Sequence, residues 1–156
     1  NSGVLLINTL AWAQESVSAK AMSMLADKAI VSRLTYMDQD ILNLILLGKV
    51  KFIDAKYNTQ FSLNYELKKS FVCPINDETV LIHYVGPTKP WHYWAGYPSA
   101  QPFIKAKEAS PWKNEPLMRP VNSNYARYCA KHNFKQNKPI NGIMNYIYYF
   151  YLKIIK

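Results

Sequence analysis

Residues 79–91 read Thr-Val-Leu-Ile-His-Tyr-Val-Gly-Pro-Thr-Lys-Pro-Trp. The β-branched, apolar start predicts a strand over residues 79–84, and the glycine and prolines predict a loop after it. Because ligands of open α/β sheets bind beyond the carboxyl ends of the strands, this loop is a candidate ligand site. His83 can bind a metal, the Gly86 backbone can approach phosphate oxygens, and Lys89 supplies a positive charge. The pattern suits a metal–diphosphate group, but an ordinary strand-end histidine followed by a turn would have the same sequence.

Strands alternate with helices before this segment, which predicts an α/β sheet. Residues 3–8 form a short apolar run that predicts a buried strand, and residues 50–53 predict a second strand. Residues 10–30 have apolar side chains mostly three or four positions apart, which predicts a helix. A second helix is expected over residues 41–47, with Gly48 as its end. The sequence contains no run of about 18 apolar residues, the length that a membrane-spanning helix needs.

The C-terminal third of the chain is strongly basic. Residues 105–156 hold ten lysines and arginines against two glutamates, so this third carries most of the net charge of +9. We therefore expect a domain of balanced charge over residues 1–104, which the family resemblance described below implies to be catalytic, and a basic, aromatic extension over residues 105–156. Residues 92–120 contain many prolines and are expected to form loops, followed by helices over residues 122–132 and 140–155. Such a charge asymmetry indicates an anionic partner, either a membrane surface or a nucleic acid.

The last predicted helix carries an apolar stripe. Its members recur at helical spacing and are Ile140, Ile143, Met144, Ile147, Tyr151 and Ile154. A stripe beside tyrosines and lysines suits a helix that lies in the interface of an anionic bilayer. The alternative is that the stripe packs against the rest of the protein as core. Nucleic acid is not expected, because the sequence contains no recognisable DNA- or RNA-binding motif.

Two further polar segments are candidates for ligand contacts. Asp38 and Gln39 precede a predicted helix, where a carboxylate and an amide can hold sugar hydroxyls or face a developing positive charge. Acidic residues at a helix start also stabilise the helix dipole, which is an alternative reason for their presence. Asn1 and Ser2 stand before an apolar run, and they either touch a ligand or simply begin the chain.

Three segments in this order resemble glycosyltransferase family 8. They are Asn-Ser-Gly-Val-Leu-Leu-Ile-Asn at residues 1–8, Asp-Gln-Asp-Ile-Leu-Asn at 38–43 and the histidine-to-tryptophan loop at 83–91. The resemblance is to the lipopolysaccharide core galactosyl- and glucosyltransferases and covers essentially the whole chain, including their C-terminal extension. It implies the C-terminal half of a GT-A fold with a helical extension. The Asp-x-Asp motif of the family is not in a suitable place here, so we expect a fragment that is inactive alone.

The resemblance also implies a role for each candidate residue in the loop. His83 corresponds to a histidine ligand of a manganese (or magnesium) ion, and Gly86 and Lys89 correspond to residues that contact the donor diphosphate. The implied donor is UDP-galactose or UDP-glucose, and the implied reaction retains the anomeric configuration. The implied acceptor is the lipopolysaccharide core, at the cytoplasmic face of the inner membrane of a Gram-negative bacterium.

The remaining implied roles concern the donor sugar. Asp38 corresponds to a carboxylate that hydrogen-bonds the sugar, and Gln39 to a side chain beneath the anomeric carbon. Because an amide is a poor nucleophile, Gln39 is expected to stabilise positive charge electrostatically. Asn1 and Ser2 correspond to a segment that lines the sugar.

Two other functions remain possible on the sequence alone. One is a noncatalytic basic-aromatic module that attaches a larger protein to a membrane or a nucleic acid. The other is a metal hydrolase that uses His83, His92 and Asp38. An Asp-x-Asp motif after a nucleotide-binding start would favour the transferase over the noncatalytic module. The hydrolase is disfavoured because the sequence contains no second close pair of metal ligands.

Overall fold

The structure, a computed structural model, describes residues 2–155. It separates into two compact units, and the division falls between Ala55 and Lys56. The described part of the N-terminal unit is helical, whereas the C-terminal unit combines a small parallel sheet with helices. The chain is therefore a mixture of helix and parallel sheet, as expected in outline. The expected boundary between residues 104 and 105 stays a prediction.

The N-terminal unit contains short helices where one long helix was predicted over residues 10–30. The helices are α1 (Thr9–Gln14), α2 (Val17–Ala26), α3 (Lys28–Val31) and α4 (Met37–Ile45). Ser16 separates α1 from α2 and has a left-handed φ of 53°. Asp27 separates α2 from α3. Its side chain accepts hydrogen bonds from the amides of Ala29 and Ile30 and so caps the start of α3. Apolar spacing predicted the helical residues but not these breaks.

The strands predicted over residues 3–8 and 50–53 are wrong for this structure. Both segments lack a hydrogen-bonded strand partner within the described residues. Leu6 is 90% exposed and Phe52 is 91% exposed. An apolar run forms a buried strand only where neighbouring strands and a covering layer accept it. Neither condition holds here.

Helix α4 begins at Met37, four residues before the expected start at Ile41. The Asp40 carboxylate accepts hydrogen bonds of 2.8 Å from the amides of Thr35 and Tyr36 and so supports the helix start. Helix stabilisation is thus a sufficient reason for Asp40. Gly48 follows the helix with a φ of 76°, a conformation that glycine adopts without strain.

The C-terminal unit is built on two parallel strands, β1 (Thr59–Phe61) and β2 (Ile82–Tyr84). The strand predicted over residues 79–84 is thus shorter than expected, because a turn from Asn76 to Thr79 occupies its start. The last residue of β1 belongs to a small core of buried side chains: Phe61, Leu63, Ala95, Tyr97 and Ala100.

A helix also lies within the proline-rich segment that was expected to be loop. Helix α5 (Gln101–Glu108) follows a 3₁₀ turn over Pro98–Ala100. Pro102 lies in the first helical turn, where its missing N–H would have had no intrahelical partner. Prolines were read as breaks, whereas here they begin helical segments.

The two predicted C-terminal helices are confirmed as α6 (Ser123–Lys135) and α7 (Pro139–Ile154). They form a hairpin joined by a short turn in which Asn137 has a left-handed φ of 58°. The helices approach closely at Gly142, where an added Cβ would lie 2.6 Å from a ring carbon of Phe134. Glycine is therefore required for this packing rather than for a special backbone angle.

We expect Gly142→Ala to lower the melting temperature of the protein. The added methyl group must displace the Phe134 ring, and overpacking of this kind costs about 1–3 kcal/mol. This exceeds the roughly 1 kcal/mol that alanine gains over glycine in a helix. The double variant Gly142→Ala/Phe134→Ala removes the obstacle and should lose less stability than the sum of the two single changes. A single Gly142→Ala variant more stable than the parent would contradict the close contact.

The apolar stripe of α7 faces away from α6. Gly142 is buried and Tyr146 is half-buried on the packed side. The stripe residues are at least half exposed: Ile140, Ile143, Met144, Ile147, Tyr151 and Ile154. The alternative that the stripe packs as core is therefore wrong for the described residues. None of the helices in residues 2–155 is long and apolar enough to cross a bilayer.

Candidate functional site

His83 lies on β2, and its Nδ1 is 3.1 Å from the side-chain oxygen of Asn58. Because that carbonyl oxygen can only accept, Nδ1 must carry the hydrogen, and the lone pair remains on Nε2. This is the arrangement by which a second residue orients a metal-binding histidine. Among residues 2–155, no cluster of three His, Cys, Asp or Glu side chains could hold a metal ion. His83 thus fits a metal as a single oriented ligand.

Gly86 places the backbone of the following loop against a neighbouring turn. Its φ is +82°, and an added Cβ would lie 2.8 Å from the Ser62 hydroxyl. Any other residue would be strained and would also collide with Ser62. The glycine therefore allows the loop to lie close to this turn, and its exposed backbone is accessible to a ligand.

The Lys89 side chain folds back onto the end of β2. Its ammonium group donates a 2.6 Å hydrogen bond to the Tyr84 carbonyl, and its amide donates to His92 Nδ1 at 3.1 Å. No ion pair joins Lys89 to a carboxylate within residues 2–155. The Lys89 charge is therefore not neutralised by any described carboxylate, and a diphosphate could replace its neutral carbonyl partner.

His92 is a core residue. It is 1% exposed, and the centre of its ring lies 4.2 Å from that of Trp94 and 4.9 Å from that of Tyr125. Burial, together with the nearby Lys89 charge, lowers the pKa of His92 to about 4. The metal hydrolase hypothesis relied on His92 as a ligand, so this packing removes its second histidine.

The N-terminal unit brings three of the predicted residues together. The Ser2 hydroxyl donates a 2.7 Å hydrogen bond to Asp38, and this bond lowers the pKa of the Asp38 carboxyl. Ser2 and Gln39 both line a cavity of about 760 Å³, whose wall is otherwise largely apolar. Asn1, the fourth predicted residue, lies outside the described residues. The unit thus places a carboxylate, an amide and a hydroxyl within one local region.

Sequence patterns predicted His83, Gly86 and Lys89 as site residues but did not indicate the side chains that contact them. Asn58 and Ser62 lie more than 20 positions earlier and reach the loop only because β1 pairs with β2. An apolar strand signal before residue 62 would have indicated this pairing, but β1 is only three residues long. The missing information was therefore the register of a very short strand pair.

The chain matches two sequence profiles of known families. Residues 1–95 match the profile described as glycosyl transferase family 8. Residues 97–153 match the profile described as glycosyl transferase family 8 C-terminal. No solved structure gives a significant match.

Several curated relatives are similar over nearly the whole chain. A lipopolysaccharide glucosyltransferase of Escherichia coli K12 is 55% identical over 99% of the chain and 46% of the relative. A lipopolysaccharide 1,3-galactosyltransferase of Salmonella typhimurium is 51% identical over 100% of the chain and 46% of the relative. A lipopolysaccharide 1,2-glucosyltransferase of Escherichia coli is 38% identical over 98% of the chain and 46% of the relative. The chain spans about half the length of these relatives.

Proposed function

Because the chain belongs to glycosyltransferase family 8, we propose that the whole protein transfers galactose or glucose from a UDP-sugar to the lipopolysaccharide core. The observation that carries this proposal is the segment from His83 to Lys89. It combines an oriented imidazole, an exposed backbone loop and a lysine that no described carboxylate neutralises. These are the groups that a metal-bound diphosphate requires. The similar lipopolysaccharide glucosyl- and galactosyltransferases support the choice of sugar and acceptor.

The loop after β2 acts on the diphosphate. His83 would hold a manganese or magnesium ion through Nε2, and such an ion would supply charge neutralisation for the departing diphosphate. Lys89 leaves the Tyr84 carbonyl and donates to a phosphate oxygen. The backbone around Gly86 approaches the same group, because this loop carries no side chain there. Together these groups stabilise the negative charge that develops as UDP departs.

The segments at residues 1–2 and 38–39 act on the sugar. Asp38 accepts hydrogen bonds from sugar hydroxyls, a role that suits a carboxylate whose pKa is lowered by the Ser2 hydroxyl. Gln39 faces the anomeric carbon and stabilises its developing positive charge through the amide oxygen. Asn1 and Ser2 line the sugar. The bond from the anomeric carbon to the diphosphate breaks, and the acceptor hydroxyl bonds on the same face while its proton passes to the diphosphate.

We expect Asn58→Ala to weaken manganese binding by the full-length protein by about 10–100-fold. Without the Asn58 oxygen, the His83 ring can rotate and change tautomer, so Nε2 is no longer presented as an acceptor. A titration with manganese in the presence of UDP measures the effect. The control Asn58→Asp keeps an acceptor oxygen and should retain the affinity. Equal losses in both variants would contradict the orienting role.

The extension docks on an anionic membrane surface at the cytoplasmic face of the inner membrane. The exposed stripe of α7 offers apolar side chains over the length of a helix of 16 residues. The extension that carries it is strongly basic, and each lysine near an anionic surface contributes about 1 kcal/mol. An apolar stripe with a basic surround suits a helix that lies in the interface rather than one that spans it.

An assay of the full-length protein tests the proposal. The protein is incubated with UDP-galactose or UDP-glucose, a truncated lipopolysaccharide acceptor and manganese. We expect hexose transfer from one of the two donors, with loss of transfer when the metal is chelated. Absence of transfer from both donors to any core acceptor would refute the proposed function.

A further inference from the structure

His132 of α6 lies at the centre of a buried hydrogen-bond cluster. Its Nδ1 is 2.7 Å from the Tyr97 hydroxyl oxygen. Its Nε2 is 3.1 Å from both the Thr88 hydroxyl oxygen and the Asn64 side-chain oxygen. His132 and Thr88 are both 0% exposed. One imidazole thus joins the helical extension to the loop after β2 and to the turn after β1.

The contacts determine which nitrogen of His132 carries the hydrogen. The side-chain oxygen of Asn64 can only accept, so Nε2 must donate. The hydrogen on Nε2 is shared between Asn64 and Thr88, and Nδ1 accepts from the Tyr97 hydroxyl. Burial lowers the pKa of His132 to about 4, so the ring stays neutral in this form. All of the polar atoms of the imidazole are then used.

Thr88 lies between the two loop residues proposed to contact the diphosphate. Gly86 precedes it by two positions and rests on Ser62, and Lys89 follows it and is held through its amide. Because the backbone is continuous, the position of Thr88 sets the positions of both neighbours. The loop therefore has three attachments, of which the central one comes from the C-terminal extension.

We propose that His132 is a positioning residue for the diphosphate loop and acts through Thr88. The extension therefore contributes to donor binding, in addition to its proposed role at the membrane. His132 touches neither the donor nor the metal in this scheme. The inference rests on the proposed function, because the loop has a diphosphate to bind only if the protein uses a nucleotide-sugar donor.

Steady-state kinetics of the full-length protein test the inference. His132→Ala and Thr88→Val each break the central attachment, and valine keeps the shape of threonine. We expect each to raise the KM for the UDP-hexose about tenfold, or about 1.4 kcal/mol, while the KM for the acceptor stays unchanged. His132→Gln places an amide N–H near the Nε2 position and should restore most of the donor affinity. The double variant His132→Ala/Thr88→Val should resemble the single variants, because both remove one shared interaction.

Cys129→Ala is the matched control. Cys129 lies one turn earlier on α6 and is also 0% exposed, but it bonds Tyr93 rather than the loop. We expect this variant to lose stability while its donor KM stays at the parental value. A donor KM that rises equally in Cys129→Ala would show that His132 acts only through general packing. Additive effects in the double variant would also overturn the proposal.

Hydrogen exchange separates this inference from the proposed function. If the parent protein transfers no hexose, the proposed function has failed, and loop order can still be measured. We expect His132→Ala to accelerate amide exchange in residues 85–91, whereas Cys129→Ala leaves it unchanged. Equal exchange of this loop in the two variants would overturn the positioning role whatever the enzymatic result.

Discussion

Replacement of His83 by alanine is expected to reduce metal-dependent hexose transfer by the full-length protein by at least about 10³-fold. A metal ion held by His83 would supply several kcal/mol of charge stabilisation, and each 1.36 kcal/mol corresponds to about a tenfold change in rate. His83 offers an Nε2 lone pair that Asn58 orients through the opposite nitrogen. Loss of this ligand should shift the manganese dependence of the rate to much higher concentrations. Transfer rates are measured over a manganese titration.

Gln60→Ala is the matched control for this variant. Gln60 pairs with His83 across the two-stranded sheet and is exposed, so its truncation disturbs the same register without removing a metal ligand. We expect its transfer rate and manganese dependence to stay close to the parental values. Unchanged activity in His83→Ala would refute the assigned metal role, and equal losses in both variants would indicate damage to the sheet.

Two charges on the α7 stripe are expected to release the protein from anionic vesicles. Ile143 is 53% exposed and Ile147 is 58% exposed, so Ile143→Glu/Ile147→Glu should leave the helix hairpin folded. Burial of one isoleucine side chain in an apolar phase is worth about 1.5–3 kcal/mol. Loss of two such contacts should therefore lower vesicle partitioning about 100-fold or more. Sedimentation with vesicles of phosphatidylglycerol and phosphatidylethanolamine measures the bound fraction.

The control for the stripe must change the charge by the same amount elsewhere in the extension. Asn114→Glu/Val121→Glu does so at two exposed positions outside α7. Its partitioning should fall much less, because it removes electrostatic attraction but leaves the apolar stripe intact. If both double variants lost binding equally, charge alone would explain attachment. If neither lost binding, the stripe would not be the docking surface.

The sequence predicted well where the signal was local. The helices α6 and α7 were predicted to within a few residues, because apolar side chains recur at helical spacing and Pro139 suits a first turn. The loop after β2 was predicted from its glycine and prolines. These features depend on neighbours in the chain, which a sequence displays directly.

The sequence predicted poorly where structure depends on distant partners. Residues 3–8 are as apolar as a buried strand, yet a strand requires another strand beside it. The contacts of His83 with Asn58 and of Thr88 with His132 join positions 25 and 44 residues apart. Nothing in the local pattern distinguishes these side chains from other polar residues. The sequence likewise did not determine whether the α7 stripe faces α6 or solvent, because periodicity defines a helix face but not what covers it.

The burial of α6 has a consequence for how such proteins can be recombined. Ala126, Cys129 and Ala130 are fully buried along with His132, so this helix is an interior part of its unit. If the extension of one relative replaced that of another, the face of α6 that carries His132 would have to pack against the recipient's catalytic part. A working chimera would need compatible residues at positions 64, 88 and 97, and a crossover placed after α6 would avoid that requirement. Helix α7 is thus more readily transplanted than the extension as a whole.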